Sequence, residues 1–165
     1  MASVVEAVLA DLRANPRNPK AWVILSAFRC AHAVASWRGV KRVPAVLIGV
    51  GYRLAIEWGL GVEIPWKTRV APGVRLYHGV GLVVNDGSVI ETGVVLRNGV
   101  TIGHVRPGEG CPVIREGVEL GANCVILGPI EIGSGSVIGA GAVVTQSIPA
   151  NSLAVGVPAR VIRSL

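Results

Sequence analysis

At 165 residues the chain is long enough for one domain with a core of its own. Half of it is hydrophobic (51%), yet aromatics are only 4% and glycines number 22. That mix speaks against an ordinary globular core and for stacked short strands, tight glycine turns and small branched side chains in a narrow interior.

The formal charge of +6 is unevenly placed. Residues 1–58 carry eight Lys/Arg against Glu6, Asp11 and Glu57, whereas residues 59–165 carry eight against seven acids. The basic excess is therefore N-terminal. No aromatic-basic platform accompanies it, so nucleic acid is not expected as a partner. An anionic membrane surface or the acidic helices of a partner subunit suits a basic amphipathic segment better. Met1–Ala14 has no apolar run of signal-peptide type, and Val43–Tyr52 is too short to span a bilayer. Cys30, Cys111 and Cys124 form no CxxC pair, so neither a metal site nor a disulfide framework is expected, and a cytoplasmic location is the default.

In chain order, residues 2–14 read as a short helix with Val5, Val8, Leu9 and Leu12 as its apolar stripe, stopped by the prolines of NPRNP. A second helix is predicted from about Ala21 to Arg38 on the spacing of Trp22, Leu25, Phe28/Arg29 and His32. A third is predicted from about Pro44 to Trp58, with Leu47, Val50, Leu54 and Trp58 as its packing stripe. Residues 1–59 thus form a helical segment that needs something to pack against.

From residue 60 the period changes to six. Ile64, Val70 and Leu76 begin a series that slips by two residues, then resumes as Val84, Ile90, Leu96 and Ile102. Beyond a loop at 103–113 it continues as Ile114, Leu120, Ile126, Ile132, Ile138 and Val144. No α-helix has a six-residue period; a hexapeptide repeat is the signature of a parallel β-helix, one strand and turn per hexad, three hexads per coil. The fold class is therefore mainly β, a β-helix over 60–148 with an N-terminal helical segment, and 149–165 reads as an extended tail along the coil. His78 stands where the repeat slips. On the residues alone it is equally a plain surface histidine.

Three stretches, LYHGVGLVVNDGSVI, CPVIREGVELGANCVILGPIEIGSGSVIGAGAVV and GVPARVI, resemble the hexapeptide-repeat acyltransferases, and within them the serine acetyltransferase-like branch. The helical stretches DLRAN, AFRCAHAVASWR and YRLAIEWGLGVEI are similar to its exopolysaccharide acetyltransferases of the colanic acid type. The resemblance implies a left-handed β-helix, a homotrimer (or a pair of trimers joined through the N-terminal helices) and acetyl-coenzyme A bound between coils, with no metal. It matches His78 to the catalytic histidine and Glu63, fifteen residues earlier, to the carboxylate that orients it.

The chemistry suits those residue types. A hydroxyl that attacks a thioester must lose a proton, and a histidine is the natural base near neutral pH. A carboxylate on its other nitrogen fixes the tautomer. With eighteen residues per coil, Glu63 and His78 are expected close together on adjacent coils, and Gly79 permits close substrate approach. Pantetheine contacts are implied along the backbone at Gly103, Gly121, Ala122, Gly139 and Ala140. Arg160 and Arg163 are either phosphate ligands or a solvated tail. His104 is either a substrate contact or a plain loop residue, and His32 a packed or capping residue with a site role left open. Cys111 as an acyl-accepting nucleophile is disfavoured, and Cys124 reads as core. Serine acetyltransferases carry an aspartate where this chain has Tyr77 and a histidine where it has Cys111. Their loss argues for a neutral acceptor such as a sugar, free or lipid-linked, on which Tyr77 would stack. A serine O-acetyltransferase and a non-catalytic assembly module are the alternatives.

Overall fold

A computed structural model describes residues 3–37 and 39–165. Arg38, placed at the end of the second helix by its periodicity, and the start of the first helix at Ala2 lie outside the described residues. Helix α1 (Val4–Ala14) opens with a capping box: Glu6 N–H donates to Ser3 Oγ at 3.2 Å, and Ser3 N–H donates to the Glu6 carboxylate at 2.7 Å. Helix α2 (Pro19–Val34) starts on Asn18, whose side chain accepts from Ala21 N–H, with proline in the first turn, where its missing N–H costs nothing. After a 3-10 turn at Gly39–Lys41, helix α3 (Arg42–Tyr52) runs into a wider π-helical turn, Arg53–Gly59.

The hexads then wind a three-faced parallel solenoid. Face A stacks five strands: Val62–Glu63, Leu82–Val84, Thr101–Gly103, Val125–Leu127 and Val143–Val144. Face B stacks four, from Arg69–Val70 through Val89–Ile90 and Val113–Ile114 to Glu131–Ile132. Face C stacks Arg75–Leu76, Val95–Leu96, Glu119–Leu120 and Val137–Ile138. Every residue of the six-period series, from Ile64 to Val144, is buried, and Val94, Val100, Val118, Cys124 and Ala142 fill the corners between them. Residues 149–165 do more than lie along the coil. Ser152–Gly156 adds a parallel strand to face C, and Ala159–Ser164 folds back antiparallel on it, so the end of that sheet is a hairpin.

Helix α2 buries Leu25, Phe28 and Arg29 of its predicted stripe, but α1 and α3 do not pack as their apolar spacing predicts. Val5 and Leu9 of α1 are exposed, and the helix buries Ala7 and Asp11 instead. Leu47, Val50, Leu54 and Trp58 are exposed too, while Ala45, Gly49, Tyr52 and Ile56 face inward. Gly49 is required there, because a Cβ would come within 2.6 Å of the Trp66 ring. The reason lies in what the helices cover. The first coil is the open end of the solenoid, a row of peptide groups with no strand below. Arg29 donates to the carbonyls of Val70 (2.6 Å) and Ala71 (2.8 Å) and to Asp11 (2.7 Å). Asp11 accepts from Gly73 N–H, and Asn15 donates to Val74 O and accepts from Leu76 N–H, each at 2.8 Å. Asn18 donates to Leu76 O, the Tyr52 hydroxyl to Ile64 O and His32 Nδ1–H to Trp66 O, again at 2.8 Å. His32 is thus a cap, and its bond to a carbonyl requires the proton on Nδ1.

Arg29→Met should leave the Asp11 carboxylate buried without its cation, costing about 3–5 kcal/mol in urea unfolding. Asp11→Asn together with Arg29→Met should recover part of that loss; additive losses would show that the pair does not act as a unit.

Candidate active site

The slip in the repeat is a turn that lifts His78 out of the coil. Strand pairing sets Leu82 beside Val62 and Val95 beside Arg75, a step of twenty residues, where Val143 beside Val125 is a regular step of eighteen. Gly79 N–H donates to Tyr77 O at 2.8 Å, closing a tight turn centred on His78. His78 has φ 65°, a left-handed conformation that residues with a Cβ seldom adopt, followed by Gly79 and Gly81 at 74°. Gly81 N–H donates to Gly61 O at 2.8 Å, and a Cβ on Gly79 would lie 3.3 Å from Val62, so the turn is pinned to the strand that carries Glu63. Both His78 and Glu63 are exposed, and among the described residues no hydrogen bond joins their side chains.

The edge of the solenoid between faces C and A carries Tyr77–Gly81, then Arg97–Val100, Gly121–Cys124 and Gly139–Ala142 in successive coils. His78 therefore shares one edge with Gly121, Ala122, Gly139 and Ala140. Gly103 ends a face A strand on the other side. Gly121 also has a packing reason to be glycine: a Cβ would meet the backbone of the next coil, 2.5 Å from Ala140 N. Arg160 and Arg163 lie exposed on the last strand of face C, and neither has an acidic partner among the described residues. Cys124 is a core thiol; burial pushes its pKa up to about 12.

On face A, Glu63, Asn85, Asp86, Gly103 and His104 line a groove of about 350 Å³. Asn85 organises one end of it. Its Oδ1 accepts from Gly87 N–H at 2.9 Å and from the Cys111 thiol at 3.2 Å, and its Nδ2 lies 3.0 Å from His104 Nδ1. The peptide N–H of Gly87 can only donate, so the amide orientation is determined and Nδ2 must point at His104. His104 Nδ1 then accepts, and the ring proton sits on Nε2. The bond brings His104 and Cys111 together as sequence reasoning did not foresee, with Cys111 a spent donor on an amide. The loop supplies both histidine and cysteine because it inserts six residues, stepping Thr101 to Val125 by twenty-four.

Two residues of this site were missed in the sequence. Asn85 sits in the NDG turn that follows Val84, and its signal was a polar turn at the corner facing the loop. Arg97 places its guanidinium 5.1 Å from the centre of the Tyr77 ring, which is 42% exposed. Its signal was the step of twenty across the slip, which carries 77 to 97.

Residues 111–146 match the bacterial transferase hexapeptide (six repeats) family. A protein of Escherichia coli (strain K12) named as the colanic acid biosynthesis acetyltransferase WcaB is 38% identical over 158 residues, covering 93% of this chain and 98% of its own length. The chain belongs to the hexapeptide-repeat acetyltransferase family. It is an acetyltransferase, and the hand of its solenoid is that of the left-handed β-helix of serine acetyltransferase structures. Serine acetyltransferase of Salmonella typhimurium is 37% identical over 145 residues, 87% of this chain but 51% of that protein. Soybean serine acetyltransferase superposes with TM-score 0.82 at 34% identity, over 97% of this chain and 69% of that one. A serine acetyltransferase solved in complex with CoA superposes with TM-score 0.81 at 29% identity, over 97% and 70%. No described helix is long and apolar enough to cross a membrane.

Nitrogen-15 spectra should show His104 protonated at Nε2, and Asn85→Asp should move the proton to Nδ1, where a carboxylate can accept it. A native ring protonated at Nδ1 would overturn the assigned orientation of Asn85.

Proposed function

We propose that the chain transfers acetyl from acetyl-coenzyme A to a hydroxyl of a sugar, free or lipid-linked, in surface polysaccharide or glycolipid assembly. The observation that carries this reading is His78 held at φ 65° in the turn where the repeat slips by two residues, pinned to the strand that carries Glu63. A left-handed backbone at a histidine is kept only where the surroundings enforce it, which is typical of functional sites. His78 takes the proton of the acceptor hydroxyl as it attacks the thioester carbonyl, and returns it to the departing thiolate. Glu63 orients the ring. The two side chains close into hydrogen-bond contact with substrates bound, as catalytic bonds often do.

The small residues along the His78 edge suit the pantetheine arm, since Gly121–Ala122 and Gly139–Ala140 leave the backbone open to close approach. Arg160 and Arg163, without acidic partners among the described residues, suit the phosphates. His78 is exposed in the single chain. A homotrimer, as the family resemblance implies, would wall it in with a neighbouring coil. The acceptor side offers hydrogen-bonding groups: Tyr77 lies under the Arg97 guanidinium, and His104 presents Nε2–H at the groove. Glu63 and Asp86 in that groove disfavour a free carboxylate such as that of serine.

The second reading, a serine O-acetyltransferase, is favoured by the similarity to the serine acetyltransferases over most of this chain. Thiol release from acetyl-coenzyme A with a panel of sugars and serine separates the two. Release should depend on a sugar acceptor and fall by roughly 10²–10⁴ in His78→Ala, with fold and oligomer kept. Turnover with serine and none with sugars would sink the sugar acceptor, and near-native turnover of the variant would sink the base assignment.

A further inference from the structure

Helix α3 is apolar on every side. From Val43 to Tyr52 it carries no charged residue. Its inner face, Ala45, Gly49 and Tyr52, packs on the solenoid. Its outer face is just as apolar: Val43 is 68% exposed, Leu47 67% and Val50 48%, and the row continues through Leu54 at 53% to Trp58 at 72%. Helices apolar all round are normally enclosed, and a contiguous exposed patch of this kind marks a surface that something covers.

The charges around the patch identify what covers it. Lys41 and Arg42 stand at its start, and Lys67 beside it. None of the three has an acidic partner among the described residues, whereas Arg53 is tied to Glu57 at 3.1 Å. Arg42 and Lys67, with Ser36 and Trp37, line an open recess of about 360 Å³ next to the helix. The Lys41 ammonium lies 5.9 Å from the centre of the Trp37 ring. Trp37 and Trp58 thus stand at the two ends of the apolar row, each with a polar ring N–H. An apolar helix face, bordered by unpaired cations and ended by tryptophans, is the composition of a segment lying in the lipid–water interface. A second copy seated on the same face would bring the same cations to the seam, with no free acid opposite them.

We infer that α3 and the turn after it are a docking surface for an anionic lipid bilayer. Val43, Leu47, Val50, Leu54 and Trp58 enter the acyl boundary, while Lys41, Arg42 and Lys67 hold headgroup phosphates, those of Arg42 and Lys67 in the recess. The helix lies in the plane of the membrane. This adds a surface to the proposed lipid-linked acceptor and brings the solenoid to where such an acceptor is anchored.

The test is co-sedimentation of the full chain with vesicles of phosphatidylglycerol and phosphatidylethanolamine, against vesicles of phosphatidylcholine alone. Binding should occur to the anionic vesicles, weaken as salt rises, and blue-shift tryptophan emission. Leu47→Asp with Val50→Asp, both exposed and harmless to the core, should weaken it at least tenfold. Arg42→Gln with Lys67→Gln should weaken it several-fold and flatten its salt dependence. Absence of vesicle binding by the native chain overturns the inference. So does binding that survives the aspartates. If the aspartates instead split a higher oligomer of a chain that ignores vesicles, the face is a subunit interface. No acceptor enters this measurement, so its failure leaves the acetyl-transfer reading intact, and thiol release to a soluble sugar should be unchanged in the Leu47/Val50 variant.

Discussion

The first coil of this solenoid has nothing beneath it, and the side chains that solve that problem determine how the N-terminal third of the chain is built. Each later coil satisfies its peptide groups on the coil below. The lowest one would leave carbonyls from Ile64 to Leu76 exposed to the interior of the helical cap, each costing on the order of 1–3 kcal/mol if buried without a partner. Arg29 is the centre of the solution. One guanidinium meets two carbonyls and the Asp11 carboxylate, and Asp11 in turn reaches a peptide N–H of the same coil. Neither charge would be tolerable alone in that position; together they act as a bridge between α1, α2 and the first coil. Tyr52 belongs to the same set. Burial raises its pKa above the usual tyrosine range, so the hydroxyl stays a donor to Ile64 O.

The regularity that builds the column also determines where chemistry can be placed. A residue at a hexad position must be small, branched and inward. A side chain that meets substrate has to stand where the count fails. Both failures present candidate site residues: two extra residues present His78, and six extra residues present His104 and Cys111. The turn at His78 forces a left-handed backbone on a residue with a Cβ. That cost is held in place by the bond from Gly81 to Gly61, and Val62 leaves no room for a larger residue at Gly79 without a shift. Scaffold stiffness and site strain are two consequences of the same stacking.

The solenoid was legible in the sequence because its core repeats with one period, and every member of the series is buried. The slip was legible too, and with it His78. The three helices and the buried stripe of α2 were legible as well, but the inward faces of α1 and α3 were not, for a physical reason. Apolar spacing predicts which face of a helix seeks an apolar surface, and here the surface offered is the polar rim of an open coil. Asp11, Asn15 and Asn18 therefore turn inward, while Val5, Leu9, Leu47 and Val50 turn out. Asn85 stayed hidden because its role depends on the loop folding back to bring His104 and Cys111 to it, a contact no local spacing encodes. The tail was read as extended, and its strands are; that they pair as a hairpin depends on face C offering an edge at Val137–Ile138.

This inversion has a consequence for the outer surface. A helix that docks on the scaffold through polar or small side chains leaves its large apolar ones for the outside. On α1 the result is modest, since Glu6, Arg13 and the exposed end of the helix break the apolar area. On α3 nothing breaks it between Arg42 and Arg53. In that helix small residues, Ala45 and Gly49, allow close docking on Trp66, so the large aliphatics are free to point away from the protein. Packing alone does not require Leu47, Val50 and Leu54 to be apolar; serines or lysines would serve a solvated face as well. Their presence beside cations that have no acidic partner among the described residues fits a second surface, outside the chain, that rewards burial of the same side chains.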